Sequence, residues 1–328
     1  MRRLERVSIK EIDLEDTQFL ITFLPDITML RMSIEMVGLL EPPLLRRGGS
    51  GLCQVISGFS RIRALRELGV DDVEAFVCDH HAINDLEGIL LALGHNLVRP
   101  LNVIEKALII KKLLAHGLSQ REIIDTFLPR IRIQPSAKLL KKFLALLSIN
   151  APLQEYVVRE NLSLGTSSLF VGLDRAACEN LAAMLWQLRP GENRVKELVT
   201  FLREIALRDS VPLSTVLERQ EVRRVLEDGS CPRPRKLEEL RRIVRILRYP
   251  QLNAMVERFA SFRRSLALPP NMILHAPAFF EGDEYRIEIT FAGKEELATC
   301  ARVLHDIAAT CSEEGDDPFK TPCLLHPR

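Results

Sequence analysis

Two arginines, Arg61 and Arg63, follow Ser57-Gly58 in the stretch QVISGFSRIRALRELG, residues 54–69. The strand-like Gln54-Val55-Ile56 gives way at the glycine to a helical pattern, which puts both arginines in the first turn of a helix. The helix dipole is positive there and disfavours each cation by about 0.3–1 kcal/mol. An anion would reverse that balance. A first turn presents unpaired backbone N–H groups, Gly58 lets the backbone approach a ligand, and guanidinium forks bond phosphate oxygens bidentately. Phosphate binding is therefore one reading of this turn, and a solvated basic helix face is the other. A second cationic group, Arg130, Arg132, Lys138, Lys141 and Lys142, crowds around another helix start. Such a run can neutralise nucleic-acid phosphates, or it can be the exposed face of an α-helical bundle.

Other clusters carry less. RRGGSG, residues 46–51, lacks the Gly-Lys-Ser/Thr of a phosphate loop and reads as a hairpin turn. His80, His81 and His95 lack metal-ligand spacing. Asp71, Asp72 and Asp209 read as loop or cap residues. A second basic cluster, PRPRKLEELRRIVRILR, reads as a salt-bridged exposed helix or a DNA-backbone contact.

The bulk properties set limits. The chain has 328 residues, 47% hydrophobic and 27% charged, with a formal net charge of +1. It has enough apolar material for two or three domains, and any pull toward DNA must come from local patches. Seven cysteines without a CxxC pair fit reduced thiols. The N-terminus has no apolar signal core and no run is long enough to span a bilayer, so a cytoplasmic protein is expected. Aromatic content of 5% argues against a base-stacking RNA platform.

The elements that must position these groups are legible as pattern. RVSIKEIDL reads as a strand. DITMLRMSIEMVGLL reads as a helix stopped by Glu41-Pro42-Pro43, and LLRRGGSGLCQVIS as a hairpin. RIRALRELG is a helix closed by Gly69, VEAFVCD a strand, and NDLEGILLALGHNLVR a helix broken at Pro100. Strand signals then fade for about 170 residues. Within that stretch LSQREIIDTFL opens with a capping box, Ser119 and Glu122, and LPRIRIQPS is a long, proline-interrupted turn before SAKLLKKFLALLSI. CPRPRK, residues 231–236, reads as a linker or exposed turn. DEYRIEITF and EELATCARVLHDIAA give a strand and a helix near the end. The expected fold is α+β and multidomain: a small α/β domain over 1–100, an all-α region over 101–230, a basic helix with a β-hairpin–helix unit over 231–310, and a poorly ordered tail over 311–328.

The order of these pieces resembles the ParB/sulfiredoxin superfamily, specifically the ParB-type chromosome partition proteins, in divergent form. SIEMVGLLEPPLLRR resembles the family's helix, glycine and Gln-Pro lead into a strand. ISGFSRIRALRELG resembles its Gly-Glu-Arg-Arg-x-Arg-Ala phosphate motif. GHNLVRPLNVIEKA resembles Glu-Asn-x-x-Arg followed by Leu-Asn-Pro-Ile-Glu-x-Ala, and LSQREIIDTF resembles the first helix of a helix-turn-helix. The resemblance covers roughly residues 1–170. It implies a nucleotide-binding N-terminal domain that takes CTP, or another nucleoside triphosphate, with magnesium. It implies a helix-turn-helix on DNA, a C-terminal homodimerisation unit, a nucleoid location and a partition ATPase as a possible partner. Carried over residue by residue, Gly58, Ser60, Arg61 and Arg63 would hold phosphates. Asn96 and Arg99 would hold the metal–phosphate end, with Asn96 on magnesium. Ser119, Gln120, Arg130, Arg132, Lys138, Lys141 and Lys142 would meet DNA.

The departures also count. Phe59 and Ser60 replace the motif's Glu and first Arg, and His95 replaces an acid that helps hold magnesium. Glu41-Pro42 replaces Gln-Pro. At most a weak, CTPase-like nucleoside triphosphatase is expected. Two alternatives stand beside the leading reading: a phosphotransferase or nuclease on the same fold, which needs a carboxylate near the phosphate turn, and a degenerate ParB-like interaction module without hydrolysis.

Overall fold

The computed structural model describes residues 2–49, 51–282 and 284–310, and the expectation for the tail over 311–328 lies outside them. The chain is mixed α/β and divides into two units between Leu237 and Glu238.

The first unit begins with a five-stranded sheet built from β1 Arg3–Ser8, β2 Ile12–Asp13, β3 Leu44–Arg47, β4 Cys53–Ser57 and β5 Asp72–Cys78. Their spatial order is β1-β5-β3-β4-β2. β1 and β5 pair antiparallel, β5 and β3 parallel, β3 and β4 antiparallel, and β4 and β2 parallel. RVSIKEIDL is thus not one strand. A short 3-10 turn at Ile9–Glu11 breaks it and sends its two halves to opposite edges, while Ile9 and Ile12 stay buried. The β3–β4 hairpin closes with Gly48 N–H donating to Leu52 O at 2.7 Å, as the glycine-rich spacing predicts.

Alternation along β5 puts Val73, Ala75 and Val77 into a core with Val7, Leu45 and Val55. Two helices close that face: α1 Thr28–Val37 through Ile34, and α2 Phe59–Glu67 through Phe59, Ile62 and Leu65. Each such side chain contributes about 1.5–3 kcal/mol of burial free energy, which anchors the start of α2 against the sheet. Helix α3, Asp85–Asn96, lies against β4. It crosses close because Gly88 has no side chain: a Cβ there would sit 2.4 Å from Phe19 Cε1. Arg46 is buried beneath it, donating to Asp85 Oδ1 at 2.7 Å, Ile83 O at 3.1 Å and Gln54 Oε1 at 2.8 Å. Its guanidinium also rests 4.6 Å from the Phe19 ring centroid. Nε and Nη1 of this buried cation are both paired, Nη1 with a carboxylate, which is what burial of a charge demands.

Helix α4, Val103–Ala115, opens with a capping box between Asn102 and Glu105. Next comes one helical rod in three parts: α5 Gln120–Glu122, a π-helical turn Ile123–Phe127, and α6 Leu128–Arg130. Proline inside a helix lacks an N–H and its ring presses on the carbonyl four residues back. The widened π turn just before Pro129 relieves that contact, so the helix runs through Leu-Pro-Arg. The proline-rich turn is therefore shorter than the sequence suggests, covering residues 131–136, with Arg132 in the left-handed region at φ 57°. Helix α7, Ala137–Ala145, starts at Ser136, whose side chain accepts from Leu139 N–H, and packs on α4.

The remaining helices of this unit are α8 Ala151–Arg159, α9 Leu164–Ser167, α10 Arg175–Leu188, α11 Glu192–Arg208, α12 Leu213–Leu217 and α13 Gln220–Glu227. Helix α14, Arg233–Arg248, carries the division between units. Arg233–Lys236 form its first turn, so CPRPRK is not a linker throughout: Pro234 sits where a helix tolerates a missing N–H. The second unit continues with α15 Pro250–Ser265, an antiparallel hairpin of β6 Met272–His275 and β7 Arg286–Ile289, and α16 Lys294–Thr310. Met272, Leu274 and Cys300 are its buried apolar side chains around the hairpin.

Candidate phosphate and DNA sites

Gly58 is the N-cap of α2, with φ 103° and no side chain capping the turn. The first intrahelical bond runs from Ile62 N–H to Gly58 O at 3.0 Å, so the N–H groups of Phe59, Ser60 and Arg61 lie outside the helix's own ladder. A Cβ at Gly58 would lie 2.8 Å from Pro43 Cβ. Both the backbone angle and this approach require glycine.

Arg61 is mostly buried and turned back on its own chain. Its Nη1 donates to Glu41 O at 2.7 Å and Pro42 O at 3.3 Å, and reaches Glu41 Oε2 at 3.4 Å. Burial lowers its pKa from the ordinary arginine value, with the Glu41 carboxylate opposing the shift. Glu41 is thus an acid at the phosphate turn that spacing alone did not place there. Ser60 is half-buried beside it. Arg63 is exposed, and residues two apart leave a helix on different sides, so the two arginines do not share a face.

Asn96 and Arg99 meet a third residue that the sequence reading gave no role. Arg99 spans the carboxylate of Glu105 with both ends of its fork, Nη2 to Oε1 at 2.7 Å and Nη1 to Oε2 at 2.8 Å. Glu105 is 1% exposed and also accepts from Phe23 N–H and Asn102 N–H, each at 3.1 Å. Asn96 Oδ1 accepts from Arg99 at 3.1 Å and from Thr22 Oγ1 at 3.3 Å, while its amide donates to Ala92 O at 2.8 Å. This network joins the segment before α1, the end of α3 and the start of α4. The Asn-x-x-Glu spacing of residues 102–105 was the available signal for it.

The network does not suit magnesium, which takes hard oxygen donors in octahedral array. Both lone pairs of Asn96 Oδ1 are already used. Both Glu105 oxygens are held by Arg99 and N–H groups, and position 95 offers an imidazole nitrogen. Magnesium at Asn96, which the resemblance implies, would require its bonds to Arg99 and Thr22 to open. Among the described residues no cluster of three or more His, Cys, Asp or Glu side chains is placed to hold a metal. Cys53, the thiol nearest the turn, is buried and its pKa is raised by that burial, which makes it a poor nucleophile.

The basic group is arranged differently. Leu140 and Phe143 anchor α7 inward, and Lys138, Lys141 and Lys142 stand exposed along its outer face with Ala137 and Ala145. Arg130 and Arg132 are exposed at the preceding turn, with Arg130 stacked 5.3 Å from the Phe127 ring centroid. Ser119 and Gln120 are exposed at the start of α5. The Ser119 hydroxyl is engaged in its capping box, accepting from Glu122 N–H at 3.2 Å and donating to Glu122 Oε2 at 2.7 Å. That pairing lowers the pKa of Glu122. Gln120 is left as the freer polar side chain of that pair.

No family model matches the chain. A nucleoid occlusion protein of Halalkalibacterium halodurans is 26% identical over 177 residues, 52% of this chain and 59% of that one. A probable chromosome-partitioning protein ParB of Campylobacter jejuni is 30% identical over 148 residues, 44% of this chain and 50% of that one. The chain thus spans about half the length of the curated relatives it matches. Among solved structures, the C-terminally truncated ParB of Caulobacter crescentus in complex with CTP-γ-S aligns at 24% identity over 56% of this chain and 99% of its own, with a TM-score of 0.27. At that score the superposition carries no argument.

Proposed function

We propose that this chain, a divergent relative of the ParB-type chromosome-partitioning proteins, binds duplex DNA through α7 and the turn before it. The observation that carries the reading is the face of α7. Three lysines at helical spacing i, i+3 and i+4 project outward from a helix pinned by Leu140 and Phe143, after a helix and a six-residue turn. A helix held this way can lie along a major groove while its lysines and Arg130 and Arg132 meet backbone phosphates. Gln120 is positioned to touch backbone at the start of the preceding helix.

Nucleotide control is the finer part of the proposal. The N-terminal α/β region would serve as the ParB/sulfiredoxin-like domain, taking the phosphate tail of CTP or another nucleoside triphosphate at the start of α2. The N–H groups of Phe59, Ser60 and Arg61 and the Ser60 hydroxyl supply donors, and Arg61 and Arg63 supply charge. Glu41 and Glu105 act as in-chain anions that a phosphate must displace from Arg61 and Arg99. Binding is accordingly weak, and the donors at Asn96 do not support metal-assisted hydrolysis. The hairpin–helix unit around β6 and β7 is proposed to pair with a second copy, since two strands and a helix bury too little to stand alone.

DNA binding is tested by fluorescence anisotropy on a labelled duplex at low and moderate salt. Replacing Lys138, Lys141 and Lys142 together by alanine should weaken binding strongly. Unchanged affinity would overturn the reading.

A further inference from the structure

Lys106 is a cation in costly surroundings. It lies early in α4, a helix buried on nearly every side, where Ile104, Ala107, Ile109, Ile110 and Leu113 are all inaccessible to water. At about 100° per residue, Lys106 shares its side of the helix with Ile110 and Leu113. Helix α4 packs on the π-helical turn and on α7, the elements that flank the turn at residues 131–136. Lys106 is half-buried there, and its ammonium makes no hydrogen bond or ion pair among the described residues. Its pKa is lowered first by burial and then by the positive charge of Arg132, and no carboxylate opposes either effect. Glu105, its neighbour in sequence, is held by Arg99.

Arg132 carries a cost of its own. The helix before it ends with Arg132 N–H donating to Pro129 O at 3.0 Å and Ile133 N–H donating to Leu128 O at 2.8 Å. That pair of bonds puts residue 132 in the left-handed region, φ 57°, a position that favours glycine. The arginine gains nothing locally, since its side chain is exposed and makes no hydrogen bond or ion pair among the described residues. The chain thus sets one cation on a strained backbone and a second close by, with no acceptor for either. A phosphate between them offsets the repulsion, gives the half-buried ammonium a charged acceptor, and meets the planar fork of the arginine. The turn opens directly into α7, so a duplex lying on the outward lysines of α7 carries its backbone past residue 132.

We infer that Lys106 and Arg132 form a two-cation clasp for a single backbone phosphate of the duplex bound by α7. The inference rests on the DNA reading of α7 and adds to it a residue from outside the basic run at 130–142. Because Lys106 belongs to α4, the clasp fixes α4 as well as α7 to the DNA backbone and sets where along the groove α7 lies.

The test uses the full chain and a labelled duplex, read by fluorescence anisotropy across a salt series. Lys106→Met keeps an unbranched apolar stem, and Arg132→Gly suits the left-handed angle, so thermal unfolding of the free protein should show midpoints no lower than the parent's. Each variant alone should weaken DNA binding about fivefold at low salt. Since both cations serve one phosphate, the double variant should lose about fivefold to tenfold, where independent contacts would lose about twenty-five-fold, and should flatten the slope of log K against log salt by about 0.9. Unchanged affinity in Lys106→Met, while alanine at Lys138, Lys141 and Lys142 still flattens the slope, overturns the clasp and leaves α7 on DNA. No effect from the triple variant overturns both. Losses that multiply in the double variant overturn the shared phosphate. Inorganic phosphate at matched ionic strength tests for a free anion: thermal stabilisation that Lys106→Met abolishes, with DNA affinity unchanged, would assign the pair to free phosphate and overturn its role on DNA.

Discussion

Arg99→Ala should be among the most damaging surface-accessible substitutions in the first unit. Its partner Glu105 is 1% exposed and receives two of its four donated bonds from Arg99. Stripping the partner from a buried ion pair costs about 3–5 kcal/mol. Here the Arg99 side chain is 38% exposed, so water partly screens the pair. The N–H groups of Phe23 and Asn102 also stay in place, and the expected loss falls to about 2–3 kcal/mol. Urea denaturation reads this as a midpoint about 1 M lower with the slope unchanged. Adding Glu105→Gln should recover part of the loss, because a neutral amide keeps an acceptor for the two N–H groups without leaving a bare charge. Arg99→Lys should fall between, having no fork to span two oxygens. A midpoint shift below about 0.2 M, or strictly additive losses in the double variant, would refute the network. The same figure bears on function. A phosphate that recruits Arg99 must overcome these bonds, which weakens its affinity about 30–150-fold relative to a chain with a free arginine.

Four further outcomes follow from the geometry. Gly58→Ala combines a left-handed backbone angle with a 2.8 Å approach to Pro43, and should cost about 3 kcal/mol in thermal or urea unfolding. Glu41→Gln removes the carboxylate beside Arg61 and should tighten CTP binding a few-fold in calorimetry, a gain that fades toward about 0.5 M salt. Tyr156→Phe should stabilise the protein by about 1 kcal/mol, because the buried hydroxyl has no hydrogen-bond partner among the described residues while the ring keeps its edge-to-face contact with Trp186 at 5.1 Å. Asp209 has its pKa lowered to about 2, first by its bond to Arg208 and then by its bond to Arg219. A folded-state value below the unfolded one gives stability that is complete above about pH 4 and is lost as pH falls toward 2. Asp209→Asn should lower stability at neutral pH and remove that portion of the acid sensitivity, measured by unfolding at a series of pH values.

Much of the first unit was legible because its signals are local. Alternation in Asp72–Cys78, the glycine turn at 48–51 and the capping boxes at 102–105 and 119–122 each follow from short-range chemistry. The split of RVSIKEIDL was not legible, since pairing with β5 on one side and β4 on the other is decided by residues about forty to seventy positions away. Pro129 misled for a related reason: the proline rule assumes an α-helix, and a π turn escapes it. At the phosphate turn, Gly58 and the arginines were visible as types and spacing. What the arginines touch was not, because Glu41 reaches Arg61 across twenty residues and Arg99 closes on a glutamate defined by its burial. Sequence patterns report which donors exist, and packing decides which remain available.

The most direct measurement is the salt dependence of DNA affinity. Each lysine on a phosphate releases counterions and contributes about 0.9 to the slope of log K against log salt. Alanine at Lys138, Lys141 and Lys142 should therefore flatten the slope by about 2–3 while thermal stability stays unchanged. An unaltered slope in a folded triple variant would contradict the placement of α7 on DNA.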